Sequence, residues 1–418
     1  MARALEPDAY RGHALGTNAI MHSTTPLLHP DDDLWKDGHT HVTAAPRDFF
    51  DKSRVTTFLD RLQHMTWAWF CTTMSTGGLA LLLHSTPHRF HGLETIGKIV
   101  YVFNLVLFVS ISAGIGYRFV VRPREIRKSL SHPTESLFFP TFLLSIATIL
   151  SDAAIYGVPS CGPWLPTTLY VLFWIYAAVA VLSAIVQFYV LFRGQSIPIH
   201  SMTPAWILPI FPAMLTGTLA ATISASQSPE RRLDLFVAGT TCQGLGWTIA
   251  CLVYPLYLGR LMQDGLPAPA MRPAMFMAVG PPSFTAIAII GMSRNIQAYG
   301  YFADDPTART VLQTIALWTS IWIWCISFWF FSVSLLAVLE AAVKKQLAFS
   351  LSWWAFVFPN VGFAVSTGFI GQELKSPGIQ WVSSGITICV VIMWFVVFFG
   401  LILAVWRKKL LWPKEHQA

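Results

Sequence analysis

Charged residues are scarce in this chain of 418 residues: Asp, Glu, Lys and Arg make up 12% of it, whereas hydrophobic residues make up 54%. An ordinary soluble domain contains about 25% charged residues, so the composition excludes one. An enzyme that acts inside the membrane needs ionisable groups near the midplane, and the apolar stretches carry almost none. The exceptions fall near predicted span ends, where water or snorkelling can serve them: Asp152, His84, Arg118, Arg193 and Glu340.

Other signatures of chemistry are missing too. The six cysteines show no CxxC or other metal-ligand spacing, and the chain has no HExxH motif and no nucleophile elbow. The sequence therefore predicts no metal, no cofactor and no enzymatic activity. The formal net charge of +7 is explained by the positive-inside rule rather than by a nucleic-acid partner, because most basic residues lie in the tails and alternate loops.

Long apolar stretches dominate what is present, and about 20 such residues cross a bilayer. An even number of spans, together with basic residues concentrated in the tails and alternate loops, predicts a multi-pass protein with both termini in the cytoplasm. Ten spans are predicted, at residues 65–84, 97–117, 137–157, 166–192, 203–224, 233–259, 273–292, 310–339, 349–370 and 378–405.

The chain divides into three parts. Residues 1–60 are polar and lack the apolar surface that folding requires, which predicts a mobile cytoplasmic tail. Residues 61–406 are expected to form a ten-helix transmembrane domain, the transport domain if the resemblance described below holds, and residues 407–418 a cytoplasmic C-terminal tail.

Helix-breaking residues recur in the middle of alternate spans. Pro140, Pro212, Pro281 and Pro359 follow one another at intervals of about 70 residues, and Gly77-Gly78 marks the first span. A spanning helix tolerates proline only where protein or a wet cavity satisfies the freed backbone. The pattern predicts an all-α fold of five helical hairpins, with the kinked odd helices in an inner ring around a central pore. Alternatively, membrane helices simply contain more Gly and Pro than soluble ones.

The odd spans also carry hydroxyl and amide side chains, which suit a passing anion together with half-helix N-termini. Alternatively, such hydroxyls hold helices together or bond back to their own helix. The candidates for the pore lining are Thr73, Ser75, Thr76, Thr141, Thr216, Ser283 and Asn360.

Two arginines are candidates for carboxylate binding. Arg272 lies at the start of a broken span and Arg118 ends the second span. A guanidinium can bind a carboxylate with two parallel hydrogen bonds. Topology signalling and headgroup contact are the alternative for both.

Aromatic residues precede three of the prolines. Phe139, Phe211 and Phe358 each stand directly before one. A ring at a kink can occlude a narrow path, and core packing is the alternative.

Several ordered stretches resemble the fungal malic acid permeases of the tellurite-resistance/dicarboxylate transporter family. The similarity runs from about residue 60 to residue 413. The matching stretches are Thr66-Trp67-Ala68-Trp69-Phe70, Met74-Ser75-Thr76-Gly77-Gly78-Leu79-Ala80, Leu137-Phe138-Phe139-Pro140-Thr141-Phe142, Trp206-Ile207-Leu208-Pro209, Gly259-Arg260-Leu261-Met262, Val279-Gly280-Pro281-Pro282 and Trp353-Trp354-Ala355-Phe356-Val357-Phe358-Pro359-Asn360.

This resemblance, which extends to the plant slow-type anion channels, implies five hairpins around a pore in each subunit of a trimer. Aligned on Trp353, Trp354 and Pro359, Phe358 matches the phenylalanine that closes the plant pore, although the segment departs at Phe356 and Val357.

The resemblance also implies a function. The expected substrates are C4 dicarboxylates, malate foremost with succinate and fumarate, carried across the plasma membrane in contact with its lipids. An efflux pathway for sulfite or other inorganic anions is the alternative. Because buried acids are scarce, protons are expected to travel on the substrate rather than on Asp152, Glu340 or Glu135.

Overall fold

A computed structural model describes residues 58–194, 198–303 and 305–411. The predicted N-terminal tail lies outside the described residues except for residues 58–60, and so does the end of the C-terminal tail from residue 412. The described part contains helices and no strand. Its two ends lie close together, because Leu411 packs against a hydrophobic cluster that includes Met65 and Trp67.

Ten helices cross the fold, and their positions confirm the ten predicted spans within a few residues. Nine helical spans among the described residues are long and apolar enough to cross a membrane, and four of these join an α-helix to the 3₁₀ or π-helical turns next to it. The first span, residues 67–85, is not among the nine. The helices are α1 Phe70–Ser85, α2 Leu93–Val121, α3 Pro140–Asp152, α4 Trp164–Gly194, α5 Phe211–Ser224, α6 Pro229–Asp264, α7 Gly280–Asn295, α8 Pro306–Val343, α9 Phe358–Glu373 and α10 Pro377–Trp406.

The odd helices form the inner ring and the even helices surround it. In the spans that hold α3, α5, α7 and α9, between 56% and 94% of the residues are buried, against 22% to 33% in the even spans. Each odd helix contacts the next one, and α9 contacts α1, so the ring closes. The outward faces of the even helices expose large apolar side chains such as Trp318, Trp322 and Phe399. The predicted alternation is confirmed.

Each inner span is a 3₁₀ segment followed by a new α-helix. The prolines stand in the first turn of that helix, where the missing N–H costs no hydrogen bond. A proline here therefore starts a helix rather than bending one. The 3₁₀ segments are Trp67–Trp69, Ser136–Phe138, Pro204–Ile210, Pro269–Val279 and Leu351–Phe356.

The first span differs from the prediction. Helix α1 runs without interruption through Gly77 and Gly78, and its break lies earlier, between Trp69 and Phe70. These glycines have another role, which the functional site explains.

Asp152 also differs from the prediction. We expected it near water at a span end, but its side chain is 0% exposed. The span continues beyond α3 through a π-helical turn, Ala153–Gly157, and a 3₁₀ turn, Val158–Ser160. These turns place Asp152 inside the protein, so the expectation that water serves its carboxylate is wrong.

Candidate transport pathway

Two cavities lie inside the inner ring, at opposite ends of the inner helices. The one at their N-terminal ends, here called the N-side cavity, has a volume of about 20 Å³, enough for about one water molecule. Every inner helix contributes to it. Its lining includes Cys71, Met74, Thr141, Phe211, Pro281, Trp354, Phe358 and Pro359.

The C-side cavity lies at the opposite ends of the same five helices. Its volume is about 350 Å³, within the range of about 300–1,000 Å³ that is usual for small-molecule sites. The lining mixes apolar residues with polar and cationic ones. The polar members are His84, Ser85, Thr218, Thr222, Arg294 and Asn295.

Three phenylalanine rings pack together beside the N-side cavity, and two of them, Phe211 and Phe358, line it. The ring of Phe358 stacks on Phe284 at a centroid distance of 4.8 Å and meets Phe211 edge-on at 6.1 Å, while Phe211 and Phe284 lie 5.7 Å apart. They come from three different inner helices. We call this cluster the phenylalanine plug.

Glycines lie against the rings of the plug. A Cβ atom built on Gly78 would lie 3.0 Å from the ring of Phe358, and one built on Gly362 would lie 2.9 Å from Phe284. A contact of 2.9 Å is almost never seen and one of 3.0 Å is unusually tight, so a larger residue at Gly362 would displace the ring of Phe284, and one at Gly78 would require the ring of Phe358 to shift slightly. Of the Gly77-Gly78 pair, Gly78 therefore marks close approach to the plug, whereas Gly77 lies against Thr148 and Asn104.

Thr141 is the predicted pore-lining residue that reaches a central cavity. Its hydroxyl lines the N-side cavity and donates to the carbonyl oxygens of Phe138 at 2.6 Å and Trp67 at 3.0 Å.

Three of the other candidate hydroxyls connect helices. The hydroxyl groups of Thr73 and Ser145 lie 2.7 Å apart, and Ser283 donates to Ser327 at 3.0 Å. Thr76 accepts a hydrogen bond of 3.1 Å from Trp394. These contacts favour the helix-packing alternative.

The remaining three bond to backbone carbonyl groups. Ser75 donates to Trp354 at 3.5 Å, Thr216 to Pro212 at 3.2 Å and Asn360 to Phe356 at 2.9 Å. The carbonyl oxygen of the Asn360 side chain is buried without a partner.

Arg272 is held by hydrogen bonds to neighbouring residues, and it lines neither the N-side cavity nor the C-side cavity. It donates to the carboxylate of Glu340 at 3.0 Å and to the carbonyl oxygens of Ala337 and Pro267 at 2.9 and 3.2 Å.

Arg118 lines a separate cavity of about 350 Å³. It donates to Glu135 at 2.6 Å, to Glu125 at 3.2 Å and to the carbonyl oxygen of Met65 at 2.7 Å. Glu125 lies outside the membrane span. Burial raises its pKa, but hydrogen bonds from Arg122 and Arg118 outweigh burial and leave the pKa below the ordinary value of 4.5.

Sequence reasoning missed Arg294, which lines the C-side cavity near the end of α7. Its guanidinium donates to the carbonyl oxygen of Phe369 at 3.0 Å and to Gln372 at 3.2 Å, and it pairs with Glu373. A basic residue one position before the end of a broken span is the signal that could have found it.

Comparison with known proteins identifies the architecture. The profile of the family described as voltage-dependent anion channel matches residues 64–402. The chain belongs to the voltage-dependent anion channel family. It is therefore a multi-pass membrane protein of a family of channels and transporters for small anions, which are not enzymes.

Similar members of this family come from fungi. The malic acid transport protein of Schizosaccharomyces pombe is 34% identical over 85% of this chain and 82% of its own length. A putative malic acid transport protein of the same yeast is 33% identical over 86% of this chain and 84% of its own length. A sulfite efflux pump of Arthroderma benhamiae is 25% identical over 79% of this chain and 88% of its own length.

Proposed function

We propose that this protein transports C4 dicarboxylates, malate foremost with succinate and fumarate, across the plasma membrane, and that Phe358 is its gate. The observation that carries the proposal is the path through the inner ring: a cavity at each end and three packed phenyl rings beside the narrow one. The fungal relatives with 34% and 33% identity are a malic acid transport protein and a putative one.

The substrate is proposed to bind in the C-side cavity. Arg294 brings a guanidinium to its wall, and Asn295 and Thr218 bring an amide and a hydroxyl. A guanidinium and a carboxylate form strong, charge-assisted hydrogen bonds. Carboxylate binding by Arg118 and Arg272 stays a prediction. All three arginines pair with an acidic residue, but only Arg294 of the three lines one of the two central cavities.

We propose that the transporter is closed when the three rings of the phenylalanine plug are packed together. The N-side cavity has a volume of about 20 Å³, which is too small for a dicarboxylate, so the rings of the plug must move before one can bind there. Both termini are proposed to be cytoplasmic, which makes the N side the cytoplasmic side. Assembly into a trimer, as the resemblance implies, would leave one pathway in each subunit.

Transport of sulfite or other inorganic anions is the second candidate, and the 25% identity to a sulfite efflux pump favours it. Labelled malate flux into proteoliposomes distinguishes the two. Succinate and fumarate should compete with malate, whereas sulfite and nitrate should not. Inhibition by sulfite or nitrate alone would reject dicarboxylate transport in favour of the second candidate.

A further inference from the structure

The side chains of Asp152 and Asn104 are buried inside the protein, and they lack the hydrogen bonds that a buried carboxylate and a buried amide require. Each side chain is 0% exposed. In the described part of the chain, neither carboxylate oxygen of Asp152 and neither polar atom of Asn104 has a partner. Buried polar groups are nearly always bonded, so this pair calls for an explanation that packing alone does not provide.

The two residues belong to one polar cluster between α1, α2 and α3. A Cβ atom built on Gly77 would lie 2.4 Å from the Thr148 hydroxyl and 2.8 Å from the Asn104 amide nitrogen, so these groups are neighbours. Thr148 stands one helical turn before Asp152 on the same face of α3. Tyr101, one turn from Asn104 on α2, stacks at a centroid distance of 6.2 Å on Tyr156, which follows Asp152 by four residues.

The cluster lies next to the C-side cavity. Asp152 is followed by the π-helical turn Ala153–Gly157, and two residues of that turn, Ala154 and Ile155, line the cavity. Single π-helical turns recur at functional sites.

Two aromatic side chains connect the cluster with the cavity. His84 lines the cavity, and its ring lies 5.8 Å from that of Tyr156, which follows Asp152 by four residues. The Tyr156 hydroxyl donates to the carbonyl oxygen of Ala80 at 2.7 Å, while Nδ1 of His84 is buried without a partner.

We propose that Asp152 is a proton-binding site whose loading and unloading through the C-side cavity is coupled to anion transport. An ionised carboxylate without donors or a cation is strongly disfavoured in the membrane interior, whereas the neutral acid fits there. The proton passes from water in the cavity to one carboxylate oxygen and returns the same way. This coupling rests on the proposed function, and it replaces the expectation that the substrate alone carries protons.

Asp152 is the acidic residue of this cluster, and the titratable residues around it are tyrosines and a histidine. Its titratable neighbours are Tyr156 of the π-helical turn, Tyr101 of α2, whose ring stacks on Tyr156, and His84 of α1, whose ring meets Tyr156 edge-on. Arg89 follows α1 and forms an ion pair of 3.5 Å with Glu94 in the first turn of α2. Helix α5 carries no titratable residue, and the α4 residue Tyr176 donates its hydroxyl to the carbonyl oxygen of Pro212.

Proteoliposomes with a pH-sensitive dye inside and labelled malate outside test the proposal. Asp152→Asn keeps the shape of the neutral acid. We expect malate flux to persist with one proton fewer carried per malate and with a flattened pH dependence. Asp152→Glu should restore coupling, and Asp264→Asn, which changes an exposed acid at the end of α6, should behave as wild type.

An unchanged ratio of protons to malate in Asp152→Asn would overturn the proposal. So would a wild-type flux that depends on sodium rather than on protons, which would assign the site to a cation. If Asp152→Asn does not fold, infrared spectra of the wild-type protein should contain the carbonyl band of a buried neutral acid, and its absence at every pH would refute the site. If wild-type protein moves no malate, the proposed function fails, and the dye assay with sulfite or nitrate still tests Asp152.

Discussion

Replacing Phe358 by alanine should raise malate flux through the protein. Phe358 is 1% exposed and holds the centre of the plug, stacked on Phe284 and in edge contact with Phe211. Without its ring, the N-side cavity gains the volume that the ring occupied, directly beside the two remaining rings.

The magnitude follows from the ring contacts. An aromatic pair contributes about 0.5–1.5 kcal/mol beyond area burial, so giving up two pairs costs roughly 1–3 kcal/mol each time the plug opens. Since about 1.4 kcal/mol changes a rate tenfold, Phe358→Ala should raise flux roughly five- to a hundredfold. The same change should cost about 3–5 kcal/mol of stability, as large-to-small substitutions in cores do.

The assay is labelled malate uptake into proteoliposomes at equal protein content, with and without an imposed voltage. Phe363→Ala is the matched control: this ring is 2% exposed on the same helix, but it stacks on Trp324 and Phe331 of the outer helix α8. The control should lose stability without gaining flux. Equal flux changes in both variants, or a loss of flux in Phe358→Ala alone, would refute the gate.

Three further changes test other parts of the pathway. Gly78→Ala should displace the ring of Phe358 and raise the leak of malate, and overpacking should lower the stability by about 1–3 kcal/mol. Gly385→Ala is the control: its Cβ meets open space, so the melting temperature should be unchanged or higher. Arg294→Gln should raise the KM for malate roughly ten- to a hundredfold, and a larger effect of Arg272→Gln would move the binding site to the N side. Glu125→Gln should lower stability by less than about 1 kcal/mol at pH 7. Because the folded-state pKa of that carboxyl lies below 4.5, its contribution is present above that pH and disappears as pH falls through the folded value, so melting curves of the two proteins should merge in acid.

The sequence was sufficient for the architecture because the relevant signals are local. Apolar length sets each span, and a proline in the middle of a span marks the start of a new helix whatever surrounds it. Both signals act within a few residues, so the ten spans and the alternation of inner and outer helices could be predicted.

Features that depend on distant contacts could not be predicted in this way. Gly78 lies against a ring that is 280 positions away in the chain, so its role is invisible in its own span. Asp152 is buried because a π-helical turn extends the span beyond it. The direction of the candidate hydroxyls depends on how each inner helix is rotated, which packing decides, and only Thr141 faces a central cavity.

The inner α-helices, which begin after the 3₁₀ segments, influence which ions can pass. Five α-helices begin beside the N-side cavity. Several of their first N–H groups, such as those of Phe70, Phe211 and Gly280, donate to carbonyl oxygens of the preceding 3₁₀ segments, but the aligned peptide dipoles still make the N-terminal end of a helix positive, by up to about half a proton charge. That charge belongs to the main chain and cannot be removed by changing a side chain. Preference for anions over cations should therefore survive substitution of every arginine near the pathway, while those substitutions alter only how tightly and how fast a particular anion is handled.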